Sequence, residues 1–403
     1  MFSICKMMHI ALMNLCEIKD RPFRWSFYYR ENVKVKIRSF EFNLRELSGA
    51  MGDMGTFFPL AVGYFAVCGL DPAGLLVMMG LANIATGLVY RLPMPIEPMK
   101  VLAVVAIAQQ WSPSMVYASG FAMGVVWLVF AVTGVMGWVA RVTPHPVIRG
   151  IQVSLGVLLA VEALKMISTG WLLGFISLAV VLALRQNRYA PGAIVLVLLG
   201  LALMLYQGQF QGVRIWELRL PEITLFTTRE VWQVMLLAGF AQIPLTATNA
   251  VISTSSLIST YWPDRHVSER RLSLNMGIMN LVYPFFGGMP LCHGAGGLAG
   301  QYYFGARTGG TNIMEGLIEI CLGLFFASSI AYIFASFPMA IIGAMMFLVG
   351  VEMVKFTKDI TAKADLLPLG ITVVVSTISN MAFGFLSGIA VFYIIKAVRR
   401  EKE

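Results

Sequence analysis

From residue 54 to residue 396 the chain is a succession of apolar segments cut at charged or Pro/Gly-rich breaks. The segments lie near 54–70, 73–90, 96–110, 115–140, 146–166, 170–184, 191–206, 231–259, 270–287, 293–304, 312–333, 338–354, 366–379 and 382–396, fourteen in all. Charged residues are 13% and apolar residues 58% of the 403. A soluble protein carries roughly 25% charge and needs it to cover its surface. The pattern excludes a disordered chain, a nucleic-acid-binding arm and almost any water-soluble enzyme, and leaves an all-α polytopic membrane protein. Two segments, those after Pro95 and after Cys292, are too short to cross about 30 Å of hydrocarbon at about 1.5 Å per residue.

The net charge of +9 is then a matter of loop placement. Residues 1–50 carry Lys6, Lys19, Arg21, Arg24, Arg30, Lys34, Lys36, Arg38 and Arg45. With that end in the cytoplasm, the cytoplasmic connections hold Arg91, Arg141 with Arg149, Arg185 with Arg188, Arg265 with Arg270 and Arg271, Arg307, and Lys355 with Lys358 and Lys363. The opposite connections, near Asp71, Trp111, Thr169, Phe337 and Ser379, carry no Lys or Arg, and only the 207–230 loop is mixed. This is the positive-inside pattern, and it places both termini in the cytoplasm of a cell membrane. The organisation read from it is a basic segment 1–45, a transmembrane repeat 46–206, an extracytoplasmic loop 207–230, a second repeat 231–396 and a tail 397–403.

Five cysteines and four histidines are scattered without metal-ligand spacing. No signal peptide is evident, no nucleophile–base–orienter set or nucleotide-binding loop is found, and the expectation is no enzyme, no cofactor and no nucleic-acid partner.

The two halves repeat. Gly80, Asn83 and Pro93 recur as Gly277, Asn280 and Pro290, an offset of 197. Pro59-Leu60 recurs as Pro244-Leu245, and Val161-Glu162-x-x-Lys165 as Val351-Glu352-x-x-Lys355. Seven segments per half is an odd number, so the second half enters the membrane inverted. A 7+7 inverted repeat is an architecture of secondary transporters, whose substrate sits near the midplane between interrupted helices. The two short segments occupy equivalent places in the halves.

In PMPIEPMK (93–100), three prolines in six residues forbid a continuous helix. Pro98 suits the first turn of a new helix, Met99–Gln109, whose leading N–H groups lack helical partners. PLCHGAGG (290–297) should do the same, with glycines that let a ligand approach bare backbone. Two half-helix starts facing each other make an anion site, to which Lys100 adds a charge. The candidate binding residues here are Glu97, Pro98, Met99, Lys100, His293, Gly294, Ala295, Gly296 and Gly297. GFAQIPLTATNAVIS (239–253) adds Gln242, Thr246, Thr248 and Asn249, with Pro244 breaking the backbone bonding nearby, and its counterpart in the first half adds Thr56. Amide and hydroxyl donors suit an oxyanion better than a cation.

Intramembrane acids are functional candidates: Asp53, Glu97, Glu162 and Glu352 qualify. The two Glu-x-x-Lys pairs read as structural pairs on one helix face. Asp53 and Glu97 are the proton-coupling candidates, because a proton carried in with an anion relieves its repulsion from a nearby carboxylate.

GDMGTFFPL, PMPIEPMK, QIPLTATNAV and above all MPLCHGAGGLAGQYYFGARTGG resemble the molybdate transporter family, a branch related to the sulfate permeases. The resemblance runs from about Glu46 to Lys396 and implies molybdate import. It implies gate and core domains built from interleaved repeats, with substrate between Pro98–Lys100 and His293–Gly297. The family pattern usually has Gln where this chain has Glu97, which leaves the coupling mode and the preferred anion open. The C-terminal regulatory domain of the sulfate permeases is expected to be lacking, and residues 1–39 have no counterpart in the resemblance. Relatives suggest a homodimer. Sulfate, tungstate, a nucleobase or bicarbonate in the same scaffold, and an anion channel, stand as alternatives.

Overall fold

Residues 93–98 lie inside the apolar stretch and cannot be helical, so their backbone N–H and C=O groups need partners that lipid does not offer. The computed structural model, which describes residues 35–37, 39–50, 54–136, 138, 142–184, 192–209 and 216–400, shows where those partners come from. A hairpin of β1 (Val35–Ile37) and β2 (Phe40–Phe42) precedes α1 (Leu44–Ala50). The first repeat follows: α2 (Met54–Ala66), α3 (Pro72–Tyr90), strand β3 (Glu97–Pro98) running into α4 (Lys100–Ala108), then α5 (Pro113–Thr133), α6 (His145–Ile167), α7 (Trp171–Leu184) and α8 (Gly192–Tyr206). The second comprises α9 (Thr228–Tyr261), α10 (Glu269–Val282), strand β4 (Leu291–Cys292) running into α11 (Ala295–Phe304), α12 (Gly310–Phe325) bent into α13 (Ala327–Ser336), α14 (Met339–Lys355), α15 (Lys363–Ile378) and α16 (Met381–Arg400). Every apolar segment read from the sequence has its helix or helix pair. Among the described residues, α3, α5, α6, α9 and α16 are each long and apolar enough to cross a membrane alone.

The halves interlock reciprocally. β3 pairs antiparallel with β4, Glu97 opposite Cys292 and Pro98 opposite Leu291, and Met99 N donates to Pro290 O at 3.0 Å. α3 packs on α12, α5 on α10 and α6 on α14. The second member of each repeat therefore meets the fourth of the other, the third meets the third, and the fifth meets the fifth. That is what an inverted repeat folded about a pseudo-two-fold axis requires.

Two buried asparagines hold the strands. Asn280 donates to Leu291 O and accepts from Leu291 N, at 2.6 and 2.8 Å. Asn312 does the same to Met94, at 2.6 and 2.9 Å. Met94 and Leu291 are related by the repeat offset. Each amide satisfies both polar groups of a residue that enters a helix break, so neither is orphaned in the low-dielectric interior.

Close helix crossing makes this reach available. A Cβ on Gly80 of α3 would lie 2.5 Å from Gly316 O of α12, and one on Gly316 would lie 2.3 Å from Gly80 O. Small residues at such a crossing let backbones touch.

Four sequence expectations change. Pro98 lies in β3, not in a helix: Met99 is the N-cap and α4 begins at Lys100. Pro244 does not break α9, because π-helical turns at Met235–Gly239 and Ala247–Ile252 flank it and re-satisfy the ladder within one continuous Thr228–Tyr261 helix. The segment read as 312–333 is not straight but bends by 80° between α12 and α13. The segment read as 1–45 holds a hairpin and the start of α1; its residues 1–34 lie outside the described residues. The mixed 207–230 loop is strapped down where described: Arg219 N donates to Leu324 O at 2.8 Å, Trp216 stacks on Phe325 at 4.6 Å, and Arg219 pairs with Asp71 at 3.3 Å.

Gly316→Ala pushes a methyl into the Gly80 carbonyl and should cost about 1–3 kcal/mol, the usual cost of overpacking. Gly370→Ala, where a Cβ meets nothing within 4 Å, should not destabilise. Thermal unfolding of the two variants in detergent checks this; equal melting temperatures would mean the crossing is not tight.

Candidate functional site

The two half-helices differ at their starts. In α4 the first-turn N–H groups of Val101 and Leu102 both donate to Gln242 Oε1, at 2.8 and 3.2 Å. Gln242 Nε2 in turn donates to Thr246 Oγ1. Both side chains are buried. Gln242 thus caps α4 from across the bundle, and the π-helical turns beside it accompany the register that brings its amide there.

In α11 the first intrahelical bond is Leu298 N to Gly294 O, at 3.0 Å, so the N–H groups of Ala295, Gly296 and Gly297 precede the helical ladder. Against this turn lies the carboxylate of Glu97, which is 1% exposed. A Cβ on Gly294 would lie 2.6 Å from Glu97 Oε2, and one on Gly297 would lie 2.3 Å from Oε1. Only glycine admits an acid so close to a helix start, where its negative charge suits the dipole. Lys100 Nζ donates to Glu97 Oε2 at 2.8 Å, so the buried acid is paired. A Cβ on Gly296, by contrast, meets nothing within 4 Å.

That open space belongs to a cavity of about 350 Å³. Lys100, Gly296, Leu245, Thr248, Asn249 and Ser253 line it from α4, α11 and α9, and His145, Ile148, Arg149 and Gln152 line it from α6. Arg149 is bidentate to Asp359, with Nε at 3.0 Å from both carboxylate oxygens, and its Nη1 donates to Gln152 Oε1 at 2.8 Å. His145 Nε2 lies 3.3 Å from Asp359 Oδ2. His145 and Asp359 are the more exposed members and Lys100 the more buried one. The cavity is a basic, donor-rich vestibule that ends at the open turn of α11. Such a surface accepts a small oxyanion through charge-assisted hydrogen bonds.

The structure brings Glu97, Lys100, Asn249 and Gly294–Gly297 together at one place. Pro98 and Met99 supply the strand and the cap behind them, and both are buried. His293 is fully buried, with Nδ1 3.2 Å from Pro95 O and its ring edge-on to Tyr90 at 6.0 Å, and it does not line the vestibule. Thr56 falls within α2, and Asp53 lies outside the described residues. Glu162 pairs with exposed Lys165 at 3.1 Å, as a structural pair should. Sequence reasoning had Arg149 as a loop charge. It sits in the second turn of α6, and its i,i+3 relation to Gln152 within an apolar run was the available signal. Glu315 and Glu319, buried on α12, went unread although they stand i,i+4 in TNIMEGLIEICLG.

Single cysteines placed at Asn249 and Ser253, in a background without native cysteines, should react with an aqueous thiol reagent. Cysteines at Gln242 and Thr246 should stay protected at least about tenfold, as buried groups do. Equal labelling at all four positions would mean that the water-filled space differs from the vestibule described.

Comparison with known proteins places this geometry. A family model described as "Molybdate transporter of MFS superfamily" matches residues 45–159 and 234–353, one stretch in each repeat. Molybdate transporter 2 of Arabidopsis thaliana is 32% identical, over 87% of this chain and 87% of its own length. Molybdate transporter 1 of Chlamydomonas reinhardtii is 27% identical, over 89% of this chain and 93% of its own. Among solved structures, the transmembrane domain of the cyanobacterial bicarbonate transporter BicA has a TM-score of 0.65 at 16% identity, covering 89% of this chain and all of that one. Murine solute carrier 26 family member A9, an anion transporter solved in its inward-facing state, has a TM-score of 0.68 at 14% identity, covering 97% of this chain and 75% of that one. The fold is therefore the 7+7 inverted repeat of those carriers and not the nested three-plus-three repeats that the superfamily term denotes. With that fold and those matches, the chain belongs to the molybdate transporter family and is an integral membrane protein.

Proposed function

We propose that the protein is a secondary active transporter that imports a tetrahedral oxyanion, molybdate first, by alternating access coupled to protons. The observation that carries this reading is the vestibule that ends at the uncapped turn of α11, with Lys100 and Gly296 at its inner end and Arg149 on its wall. Curated relatives over most of the chain are named molybdate transporters, which supports the choice of anion. At about 30 Å³ per water, a cavity of this size takes the anion with several waters. Gly296 N–H, Lys100 Nζ and the Asn249 amide are the donors nearest its end. Gln242 and Thr246 act as positioning residues that hold α4 in register. The cell membrane with cytoplasmic termini, and a homodimer, complete the reading.

Electrostatics favours coupling. Moving one charge against the membrane potential costs roughly 2.3 kcal/mol per 100 mV, and a dianion entering a negative cell costs twice that. Co-entry of protons cancels the charge. Glu97 is placed to take one: its carboxylate lies on the same helix turn the anion would use, so the two negative charges repel unless a proton arrives.

Uptake of labelled molybdate into liposomes holding the protein tests the reading. Saturable uptake, stimulated by an acid exterior and resistant to excess sulfate, is expected; tungstate should compete more strongly than sulfate. Clear sulfate flux without molybdate uptake would keep the scaffold and discard the substrate. Glu97→Gln should flatten the pH dependence of apparent affinity by about tenfold, or ~1.4 kcal/mol. Unchanged pH-dependent uptake in that variant would remove Glu97 from the coupling.

A further inference from the structure

The segment that leads into α9 is inside out. Residues 216–226 run extended across one end of the bundle, and side chains alternate sides along an extended chain. A segment lying on a protein in water turns its apolar side chains inward and its charges outward. Here the order is reversed. Arg219 pairs with Asp71 at 3.3 Å, and Glu217 and Arg219 are both half-buried. Trp216, Leu218 and Leu220 point away, at 68%, 63% and 66% exposed, and Ile223 and Leu225 follow at 77% and 79%. Backbone bonds fix which side faces the protein. Glu217 N donates to Phe325 O at 3.2 Å and Arg219 N to Leu324 O at 2.8 Å, satisfying carbonyls of the last turn of α12. Thr224 N donates to Phe285 O at 2.9 Å, just past α10, and Ser114 Oγ of α5 donates to Leu225 O at 3.3 Å.

The level of this strap follows from its neighbours. α3, α5 and α9 are each long and apolar enough to cross a membrane, so their first turns mark a membrane surface. The strap meets all three. Asp71 is the N-cap of α3, Ser114 stands in the first turn of α5, and Thr227, which ends the strap, caps α9. Its outward row continues into the exposed faces of spans. Trp232 and Leu236 of α9, 62% and 42% exposed, extend it on one side. Leu322 of α12, two residues before the carbonyl that takes Arg219 N, extends it on the other at 39%.

We propose that residues 216–225 are an interfacial membrane anchor, with their apolar row in the headgroup-to-hydrocarbon zone of the leaflet at that end and lipid as its partner. A contiguous apolar row this exposed has no stable place in water, and the spans it joins are already faced by lipid. Trp216, stacked on Phe325 at 4.6 Å, stands at the level where tryptophan collects in membrane proteins. Arg219 lies between Asp71 and Glu222, at 3.3 and 3.7 Å, so its charge is matched within the protein and does not hold the segment in water. The segment is then part of the membrane contact and not an aqueous loop. Because it bonds to α3, α5, α10 and α12, its lipid contact ties that group of helices to one leaflet.

The full chain in liposomes provides the test, without a variant that must fold. One sample is labelled with an apolar diazirine confined to the bilayer, and another with a water-soluble carbene precursor. Trypsin cuts after Arg214, Arg219 and Arg229 and releases the strap as two peptides, 215–219 and 220–229. The bilayer reagent should label both as strongly as the outer face of α7, where Leu172 is 77% exposed, and at least about tenfold above the exposed residues 263–266. The water-soluble reagent should give the reverse order. Aqueous labelling of the strap at the level of residues 263–266 overturns the anchor. Protection from both reagents overturns it too, because a second copy or another protein then covers the row. Spin labels at Leu218→Cys and Ile223→Cys give a second readout: oxygen should reach them better than a water-soluble nickel chelate, and the opposite ranking overturns the anchor. Neither readout depends on which anion the protein carries.

Discussion

Backbone without a partner is not tolerated in a membrane, and that constraint shapes this molecule at two points. The breaks at Pro93–Pro98 and Pro290–Gly294 each leave several N–H and C=O groups without a helix to satisfy them. The protein answers by pairing one break with the other: β3 lies on β4, and Met99 N reaches Pro290 O. Antiparallel pairing of equivalent strands requires the halves to be inverted. The inversion in turn dictates that α3 meets α12 and α5 meets α10. Asn312 and Asn280 then take the residue at the mouth of each break. The glycine crossings bring the helices near enough for a short amide to do so. Removing either strand would leave polar backbone groups of its partner unpaired in the interior.

The apolar segments and the repeat were legible because membrane insertion and duplication both act on the sequence directly. A run of apolar residues must be a span, and Asn83 and Asn280 mark the same place in two copies. The short segments were legible because proline forbids a helix locally. What was not legible depended on contacts across the bundle. Pro98 reads as a helix-start residue until Leu291 is beside it. Gln242 reads as a ligand donor until Val101 and Leu102 present their N–H groups to it. His293 reads as part of a site, yet Pro95 O and Tyr90 enclose it. Arg149 read as a loop charge because its partner Asp359 lies far along the chain.

The pseudo-symmetry stops at the half-helix starts, and that departure gives the vestibule its polarity. A strict two-fold would present two equal anion sites. Here a neutral amide closes α4, and a carboxylate leans on α11 beside an open turn at Gly296. The start of one half-helix is closed by a side chain from across the bundle, and the start of the other stays open at Gly296.

The vestibule is basic, but its strongest cations are not idle. Lys100 is paired with Glu97, and Arg149 is paired with Asp359 through two nitrogens. Each pair keeps a charge neutralised while the cavity is empty, which an unpaired cation in this setting would not be. On the proposed transport reading, an entering oxyanion competes with a carboxylate for each cation. Its net gain is the difference between two similar bonds, and its occupancy changes the electrostatics of the displaced acid. Glu97 displaced from Lys100 sits on α11 next to a second negative charge, and Asp359 displaced from Arg149 is left to His145 and water. On that reading, the pairing pattern itself ties arrival of the anion to the two carboxylates it displaces.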